Sequence, residues 1–364
     1  METSSKKMAS HLTDIPDHLL AEIFLRLPDP ADLARASAAC VTFRRLATDG
    51  SFLRRFRRLH APPILGFLWA GGMFYPTLPP HPSAPAAHAL DLAADFYFTF
   101  IPSHYRWTVQ DIHDGRVLLE GDIEKDERPP VFKDLAVCDP LHRRYVLLPP
   151  VPHDLAASLE HPFPMVSEAP WCKAFLVPLG EEEVASGETT FRVILMANCK
   201  TSLAAFVFSS STGQWEAAAS KGWSDLALGK HDMAEMSWVH PFILRRHYAY
   251  DCFYWDWVEF GRKKLLLLDT RSRKMEFSIA DLPPGEWSTK GGIAIVEAGE
   301  GKLGMFGFHG ETSSDLSYTI ARNKGKSPSQ WQMEKTISLD YGYRYFIRDA
   351  TQRYLASQGE KPHL

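Results

Sequence analysis

The sequence predicts a multidomain chain of 364 residues with two unlike parts, a short α-helical segment followed by a long all-β region. Over residues 11–59 the apolar residues recur at intervals of three to five, which places them on one side of a helix. From about residue 90 onward this period is lost, and short apolar and aromatic runs alternate with turn-forming residues. The predicted boundaries are a disordered tail 1–10, a helical domain 11–59, a linker 60–89 and a β region 90–360.

The helical segment is predicted to contain three short helices. Pro16 suits the first turn of a helix, and Pro28 ends that helix at Leu27. Asp29 can cap the second helix and Ser51 the third, since both side chains accept hydrogen bonds from free backbone N–H groups. Three helices this short carry more apolar surface than they can bury on one another, so a partner is expected. On periodicity alone, a plain helical bundle at the edge of a larger core remains the alternative.

The order of residues in this segment resembles an F-box. The family pattern runs Leu-Pro, Leu-Leu, Ile and Leu-Pro, then a Leu-rich helix and Val-Cys-(Lys/Arg)-x-Trp-(Arg)-x-Leu. The chain departs from it mildly, with Ile15 for Leu, Ala39 for Val, Val41 for a basic residue and Phe43 for Trp. The resemblance implies that the segment binds a Skp-type adaptor, and through it cullin, in a Skp–cullin–F-box ubiquitin ligase. The residues implied to bind the adaptor are Ile15, Pro16, Leu19, Leu20, Ile23, Leu27, Pro28, Leu33, Ala36, Cys40, Phe43 and Leu46.

Composition argues against several classes of protein, namely nucleic-acid-binding, membrane and secreted disulfide-rich proteins. The net charge of −4 argues against general binding to nucleic acid or to an anionic membrane. The five cysteines are scattered without a Cys-x-x-Cys pair, which is typical of free thiols in a reducing compartment. The N-terminus lacks a secretory signal, and no stretch approaches eighteen apolar residues, so we expect a nuclear or cytoplasmic protein. We expect no cofactor, no metal site and no catalytic residues.

The linker and one glycine-rich motif carry two further expectations. Residues 64–68 are predicted to form a strand, and the proline-rich residues 76–88 a surface loop without an ordered element. The motif Gly299-x-Gly301-x-x-Gly304 matches a dinucleotide-binding pattern, but the apolar residues after it predict a strand where that fold needs a helix. The motif is therefore interpreted as a hairpin turn.

The β region is predicted to repeat. Four strand–turn–strand units each open their second strand with an aromatic residue, and these residues are 70, 62 and 54 positions apart: Tyr145, Trp215, Phe277 and Trp331. Periods above fifty suit a β-propeller of four-stranded blades. An earlier blade is predicted over 107–119, and a later one begins at Tyr343. Closure of the ring is predicted to borrow a strand from residues 64–107, because an open edge exposes unpaired backbone groups.

The chain resembles plant F-box proteins with a C-terminal kelch- or propeller-like domain. The resemblance lies in the repeats, in the short motifs at residues 138–140 and 148–150, and in the segment 62–67 that follows the helices. The resemblance implies that this domain selects a protein target for ubiquitination. Two alternatives stay open. One is a lectin-like F-box protein whose propeller binds a glycan or small ligand, and the other is a propeller enzyme, which needs carboxylates converging on a central pocket.

The aromatic run over residues 248–260 has two interpretations. Its rings can fill the space between blades, or they can form a recognition surface at a loop end. In the second interpretation Tyr254, Trp255 and Trp257 bind the target. The proline-rich loop 151–170 is the other candidate for target recognition, because loops vary without disturbing the strands that hold them.

Overall fold

The structure is a computed structural model of the chain. It describes residues 15–28, 30–60, 63–102, 105–122, 132–159, 172–178, 190–199, 202–226, 246–256, 264–272, 274–283, 285, 287–288, 293–310, 315–322 and 331–338. The chain divides into two compact units. The first, called the N-terminal unit, comprises Met1–Ser103, Asp139–Arg144 and Leu179–Thr190. The second, called the β unit, comprises His104–Cys138, Tyr145–Pro178 and Phe191–Leu364.

Four helices open the N-terminal unit, where three were predicted: α1 Asp17–Phe24, α2 Pro30–Ser37, α3 Val41–Ala47 and α4 Gly50–Leu59. The second predicted helix is broken at Cys40, whose backbone is extended (φ −158°, ψ 166°) and starts a new helix. Asp49, and not the predicted Ser51, caps α4, since its carboxylate accepts a hydrogen bond from Phe52 N at 2.9 Å. The predicted cap Asp29 lies outside the described residues. None of the described helices combines the length and apolar content needed to cross a membrane.

A hairpin and a fifth helix complete the N-terminal unit. Strands β1 (Gly66–Leu68) and β2 (Phe74–Pro76) pair antiparallel, and α5 spans Ala84–Ala93. The prediction of a loop without ordered structure over 76–88 is therefore wrong. Pro85 lies in the first turn of α5, where its missing N–H group would have had no partner in any helix. One of the prolines taken as a loop signal thus marks the start of a helix.

Among the described residues from 106 onward, the strands form four four-stranded sheets, and in each sheet they hydrogen-bond in chain order. Sheet A consists of β3 Arg106–His113, β4 Arg116–Asp122, β5 Asp134–Asp139 and β6 Arg144–Leu147. Sheet B consists of β7 Cys172–Val177, β8 Arg192–Asn198, β9 Ser202–Ser209 and β10 Gln214–Gly222. Sheet C consists of β11 Arg246–Ala249, β12 Cys252–Asp256, β13 Lys264–Asp269 and β14 Glu276–Asp281. Sheet D consists of β15 Ile293–Glu297, β16 Lys302–Phe308, β17 Asp315–Arg322 and β18 Gln332–Ser338.

Two short helical segments lie between strands of the β unit: α6 (His153–Ala157) and a 3₁₀ turn (Trp223–Leu226).

Consecutive sheets pack face to face through three apolar clusters. One cluster joins sheets A and B, a second joins B and C, and a third joins C and D. Strand β12 shows the principle, because successive side chains of a strand point to opposite faces. Phe253 and Trp255 pack in the B–C cluster, whereas Tyr254 packs in the C–D cluster. The predicted all-β region of repeated four-stranded sheets is confirmed, and its closure into a propeller stays a prediction.

The predicted strand–turn–strand units are the third and fourth strands of the four sheets. The unit predicted as an earlier blade over 107–119 is instead the first half of sheet A, because β3 and β4 hydrogen-bond directly to β5. The later blade predicted from Tyr343 lies outside the described residues. The hairpin interpretation of the glycine-rich motif is confirmed, since Gly299 and Gly301 have positive φ in the turn between β15 and β16.

Two tryptophans connect neighbouring sheets in the same way. Trp215 Nε1 donates to Pro149 O at 2.8 Å, and Trp331 Nε1 donates to Asp281 O at 3.1 Å. Each acceptor lies at or just beyond the last strand of the preceding sheet. Trp215 is buried in β10, whereas Trp331 lies directly before β18 and is partly buried. The repeat predicted from these two residues therefore corresponds to a repeated contact between sheets.

Candidate functional site

The four N-terminal helices enclose a small aromatic core. The Phe24 ring of α1 contacts the Phe43 ring of α3 edge to face, with centroids 5.0 Å apart and planes at 89°. The Phe52 ring of α4 lies 6.5 Å from Phe24, also in an edge arrangement. The buried members of this core are Ala21, Phe24, Leu25, Leu33, Ala47, Phe52 and Phe56.

The solvent-facing side of α1 carries an apolar stripe among charged and polar residues. Pro16, Leu19 and Ile23 follow one another at spacings of three and four and so form one stripe along the helix. Leu19 is 48% exposed and Ile23 is 50% exposed, although each has a buried residue directly after it. Val41, the first residue of α3, is 84% exposed. A single helix therefore has one apolar side in the core and a second apolar side in water.

Polar contacts hold α1 against α3 and α4. Asp17 pairs with Arg45 at 2.7 Å, and Glu22 pairs with Arg55 at 2.6 Å. These four side chains are more than half exposed, so each pair adds little stability by itself. The rotation of α1, and with it the direction of the exposed stripe, is set by the burial of Ala21, Phe24 and Leu25 in the core, with which the two ion pairs are compatible.

The structure divides the twelve predicted adaptor-binding residues into three groups. The exposed group is Pro16, Leu19, Ile23 and Pro28. The partly buried group is Ile15, Leu27, Ala36, Cys40, Phe43 and Leu46. Leu20 and Leu33 are buried, so they support the surface from within and the expectation that they touch a partner is wrong for this structure. Val41 is also exposed but was not among the predicted residues, although its departure from the basic residue of the family pattern had been noted.

The predicted target-binding aromatics do not form a surface. Tyr254 is 1% exposed and Trp255 is 3% exposed, because β12 has a sheet packed on each of its faces. Burial, followed by the neighbouring Cys252, raises the pKa of the Tyr254 phenol, which keeps it neutral. The expectation that these two residues bind a target is therefore wrong, and the alternative that they fill the core holds. Trp257 lies outside the described residues, as does loop 151–170 from residue 160 onward.

Two carboxylates of sheet A, Asp111 and Glu120, are paired with cations, and Asp111 also connects sheet A to the first strands of sheets B and C. Asp111 of β3 accepts a hydrogen bond from Leu176 N of β7 at 2.8 Å and forms an ion pair with Arg246 of β11. The Arg246 guanidinium lies 4.7 Å from the Phe175 ring centroid, a cation–π distance. Glu120, on β4, is paired with Lys133 at 2.7 Å. These two carboxylates are each neutralised by a cation, which suits a structural role better than acid–base chemistry.

A metal site requires several ligating side chains close together, and a reactive cysteine requires a thiol that ionises readily. Among the described residues, no group of three His, Cys, Asp or Glu side chains is placed to hold a metal ion. All five cysteines are free. Burial, with smaller contributions from Cys199 and Glu120, raises the pKa of the Cys172 thiol to about 12. Cys172 is therefore an unreactive thiol at neutral pH, since the thiolate is the nucleophile.

Comparison with known proteins identifies the helical segment. Residues 12–59 match the F-box-like family. No curated protein matches the chain. The chain thus has an F-box-like domain at its N-terminus, followed by an all-β region of several sheets.

Solved structures show a weak likeness to part of this chain. The Aleuria aurantia lectin in complex with Fucα1-6GlcNAc is 12% identical, with 62% of this chain and 59% of the lectin covered and a TM-score of 0.30. The GH93 α-L-arabinofuranosidase of Fusarium graminearum is 11% identical, with 65% of this chain and 71% of that chain covered and a TM-score of 0.32. TolB from Acinetobacter baumannii is 11% identical, with coverages of 74% and 63% and a TM-score of 0.27. At such TM-scores none of these proteins assigns a fold or a ligand to this chain.

Proposed function

We propose that the chain is the non-catalytic, target-selecting subunit of a Skp–cullin–F-box ubiquitin ligase. The N-terminal helices bind a Skp-type adaptor, which connects the chain to cullin, and the β unit binds the protein target. One observation carries the proposal: the F-box-like match falls on helices that form a packed core and still leave Leu19, Ile23 and Val41 in water.

The exposed stripe has the properties of an adaptor contact. Burying a Leu or Ile side chain that was exposed stabilises an interface by about 1.5–3 kcal/mol when burial is complete. Leu19 and Ile23 lie one helical turn apart on a helix whose other side is packed in the core, so little backbone order has to be gained on binding. The surface is therefore both apolar and prearranged.

The target-binding part of the proposal concerns the β unit. We place target recognition on loops that connect its strands, as in the plant kelch- or propeller-like F-box proteins that the sequence resembles, and not on the buried aromatics of β12. Loop 151–170 is the first candidate, since Tyr254 and Trp255 lie in the core. We further place the protein in the nucleus or cytoplasm, where its five free thiols would stay reduced.

The test of the proposed function changes the outer side of α1 alone. We expect the double variant Leu19→Asp, Ile23→Asp to bind a purified Skp-type adaptor about a hundredfold or more weakly than wild type, because the contact must then bury two charges. Affinity is measured by surface plasmon resonance on the full chain. Leu20 is avoided, since its burial means that a charge there would unfold the domain.

A matched control carries the same two changes at apolar positions outside the stripe. Leu141 and Ile112 are exposed to nearly the same extent as Leu19 and Ile23. The variant Leu141→Asp, Ile112→Asp should bind the adaptor like wild type. Unchanged adaptor affinity of the Leu19, Ile23 variant, with a wild-type circular dichroism melt, would refute the proposed function.

A further inference from the structure

The N-terminal unit contains a cavity of about 390 Å³ beside the β1–β2 hairpin. Its wall combines side chains from the hairpin, the end of α5, the segment 95–99 and the turn 139–144. The side chains with distinctive chemistry are Tyr75, Asp91, Asp95, Tyr97 and Arg143. The cavity is thus lined by aromatic rings and charges together.

The hairpin side of the cavity is fixed by packing. The Phe74 and Phe96 rings stack with centroids 4.6 Å apart and planes at 25°. Gly72 has φ of +86°, and a Cβ at this position would lie 2.8 Å from Phe96 O, so only glycine allows the hairpin turn to approach so closely. The Asp95 carboxylate accepts hydrogen bonds from Tyr97 N at 3.1 Å and Thr99 N at 3.2 Å. These contacts set the path of the backbone that carries Tyr97.

The turn that carries Arg143 is fixed in a similar way. The Asp139 carboxylate accepts hydrogen bonds from Leu141 N at 3.0 Å and His142 N at 3.1 Å. Asp95 N donates to Pro140 O at 3.0 Å, which joins the two turns. Arg143 itself has φ of +53°, a left-handed conformation that the turn imposes. The backbone around the cavity is therefore prearranged on both sides.

Two charged side chains in the cavity wall, Asp91 and Arg143, are available to a ligand, whereas the Asp95 carboxylate already accepts hydrogen bonds from Tyr97 N and Thr99 N. The side chains of Asp91 and Arg143 have no hydrogen bond or ion pair with any described residue. The Tyr75 side chain is 51% exposed and that of Tyr97 is 78% exposed. Tyrosine faces attract organic cations, and the lining has two carboxylates against one guanidinium, so its net charge is negative. A cationic group is therefore the ligand that this wall favours, with an anionic group near Arg143.

We propose that this cavity binds the basic side chain, Lys or Arg, of a segment of the protein target. The cation lies over the Tyr75 and Tyr97 rings and pairs with Asp91, while Arg143 pairs with an acidic residue one or two positions away in the same segment. This inference rests on the proposed function, because it names a chemical feature of the target. It adds a recognition site in the N-terminal unit to the one proposed on the β unit.

The test uses isothermal titration of the full chain with the peptide acetyl-Gly-Arg-Ala-Glu-Gly-amide and its variant with Gln in place of Arg. We expect the Gln peptide to bind about tenfold or more weakly, because it lacks the cation. Asp91→Asn should weaken binding of the Arg peptide about tenfold, and Tyr97→Ala should weaken it severalfold, roughly as loss of one cation–π contact requires. Asp154→Asn, at an exposed carboxylate outside the cavity, should leave the affinity unchanged.

Three results would overturn the proposal: equal affinities for the two peptides, unchanged affinity in both cavity variants, or no binding heat with the Arg peptide. Adaptor binding of the same wild-type sample separates this inference from the proposed function. Loss of adaptor binding with intact peptide recognition would refute the proposed function alone. Adaptor binding without peptide recognition would refute the cavity proposal alone.

Discussion

Helix α1 and strand β12 both carry closely spaced large apolar side chains, yet the two elements use them differently. In α1, Phe24 is buried in a core that only four short helices supply, and Leu19 and Ile23 on another side of the helix stay in water. In β12, Trp255 packs towards sheet B and Tyr254 packs towards sheet D, so both faces are covered. The contrast arises because α1 packs against other helices on one side only, whereas β12 has a sheet packed on each of its two faces.

The difference shows where function can be read from a sequence. A few short helices have too little volume to enclose all of their apolar residues, so the surplus points to a partner. A stack of sheets covers both faces of its inner strands, so an aromatic-rich strand inside the stack indicates packing and not a binding surface. Two aromatic residues in sequence are thus poor indicators of a binding surface in the β unit and good indicators of its core.

The largest effect is expected from the double substitution Tyr254→Ser, Trp255→Ser. Each ring fills a different contact between sheets, and removing a buried aromatic ring costs about 3–5 kcal/mol. The loss of two should unfold the β unit at room temperature, since a typical domain has only about 5–15 kcal/mol of stability. Loss of near-ultraviolet circular dichroism and of the cooperative thermal transition would report it.

The matched control is the same change at an exposed aromatic pair in the N-terminal unit. Phe67 and Tyr75 face one another across the β1–β2 hairpin and are both exposed. Phe67→Ser, Tyr75→Ser should therefore leave the melting temperature close to wild type. If the Tyr254, Trp255 variant melted like this control, the contrast between the two regions would be lost, and β12 would again be a candidate for target binding.

A smaller difference in the free energy of unfolding is expected between alanine variants of Trp215 and Trp331, the two tryptophans that join neighbouring sheets. Trp215→Ala should cost about 3–5 kcal/mol, because a buried ring and its hydrogen bond to Pro149 O are both lost. Trp331→Ala should cost less, roughly 1–2 kcal/mol, since that ring is partly exposed. Urea unfolding of the two variants measures the difference, with Trp215→Phe as the control that keeps most of the ring volume. Equal costs would show that the two positions are buried alike in solution.

The sequence predicted the order of the elements well where a local pattern determines it. The helix period of residues 15–27 and the strand–turn–strand units of the β region both correspond to observed elements. It failed where one residue type serves two structures. The prolines of 76–88 suggested a loop, but Pro85 starts helix α5, and the Ala- and Leu-rich run 84–94 was the helix signal that this interpretation overlooked.

The candidate site was predictable in location but not in detail. Spacing alone places Leu19 and Leu20 together, whereas the structure exposes the first and buries the second, because neighbours in a helix point about 100° apart. The cavity was out of reach for a different reason. Its wall joins Asp91 to Arg143, and only the folded N-terminal unit brings residues so distant in sequence to one place.

The smallest expected effect concerns Asp139, whose carboxylate supports the turn that carries Arg143. Burial works against ionisation, but hydrogen bonds from His142 and Leu141 outweigh it and hold the pKa of Asp139 below its ordinary value. A carboxylate with a lowered folded-state pKa stabilises the fold above its unfolded-state pKa of about 3.9, and this stabilisation is lost as the pH falls through the folded-state pKa. Because the side chain is about one-third exposed, solvent screening limits the gain to roughly a few tenths of a kcal/mol.

The measurement compares the urea midpoints of wild type and Asp139→Asn at pH 7 and pH 3. Asparagine keeps the side-chain oxygen that accepts the hydrogen bonds from the backbone but removes the charge, so the variant should be less stable at pH 7, and the difference should shrink at pH 3. A difference for Asp139→Asn that stays the same at pH 3 would mean that its ionised carboxylate does not stabilise the turn. The conformation of the turn that carries Arg143 would then have to be stabilised by the hydrogen bond between Asp95 N and Pro140 O.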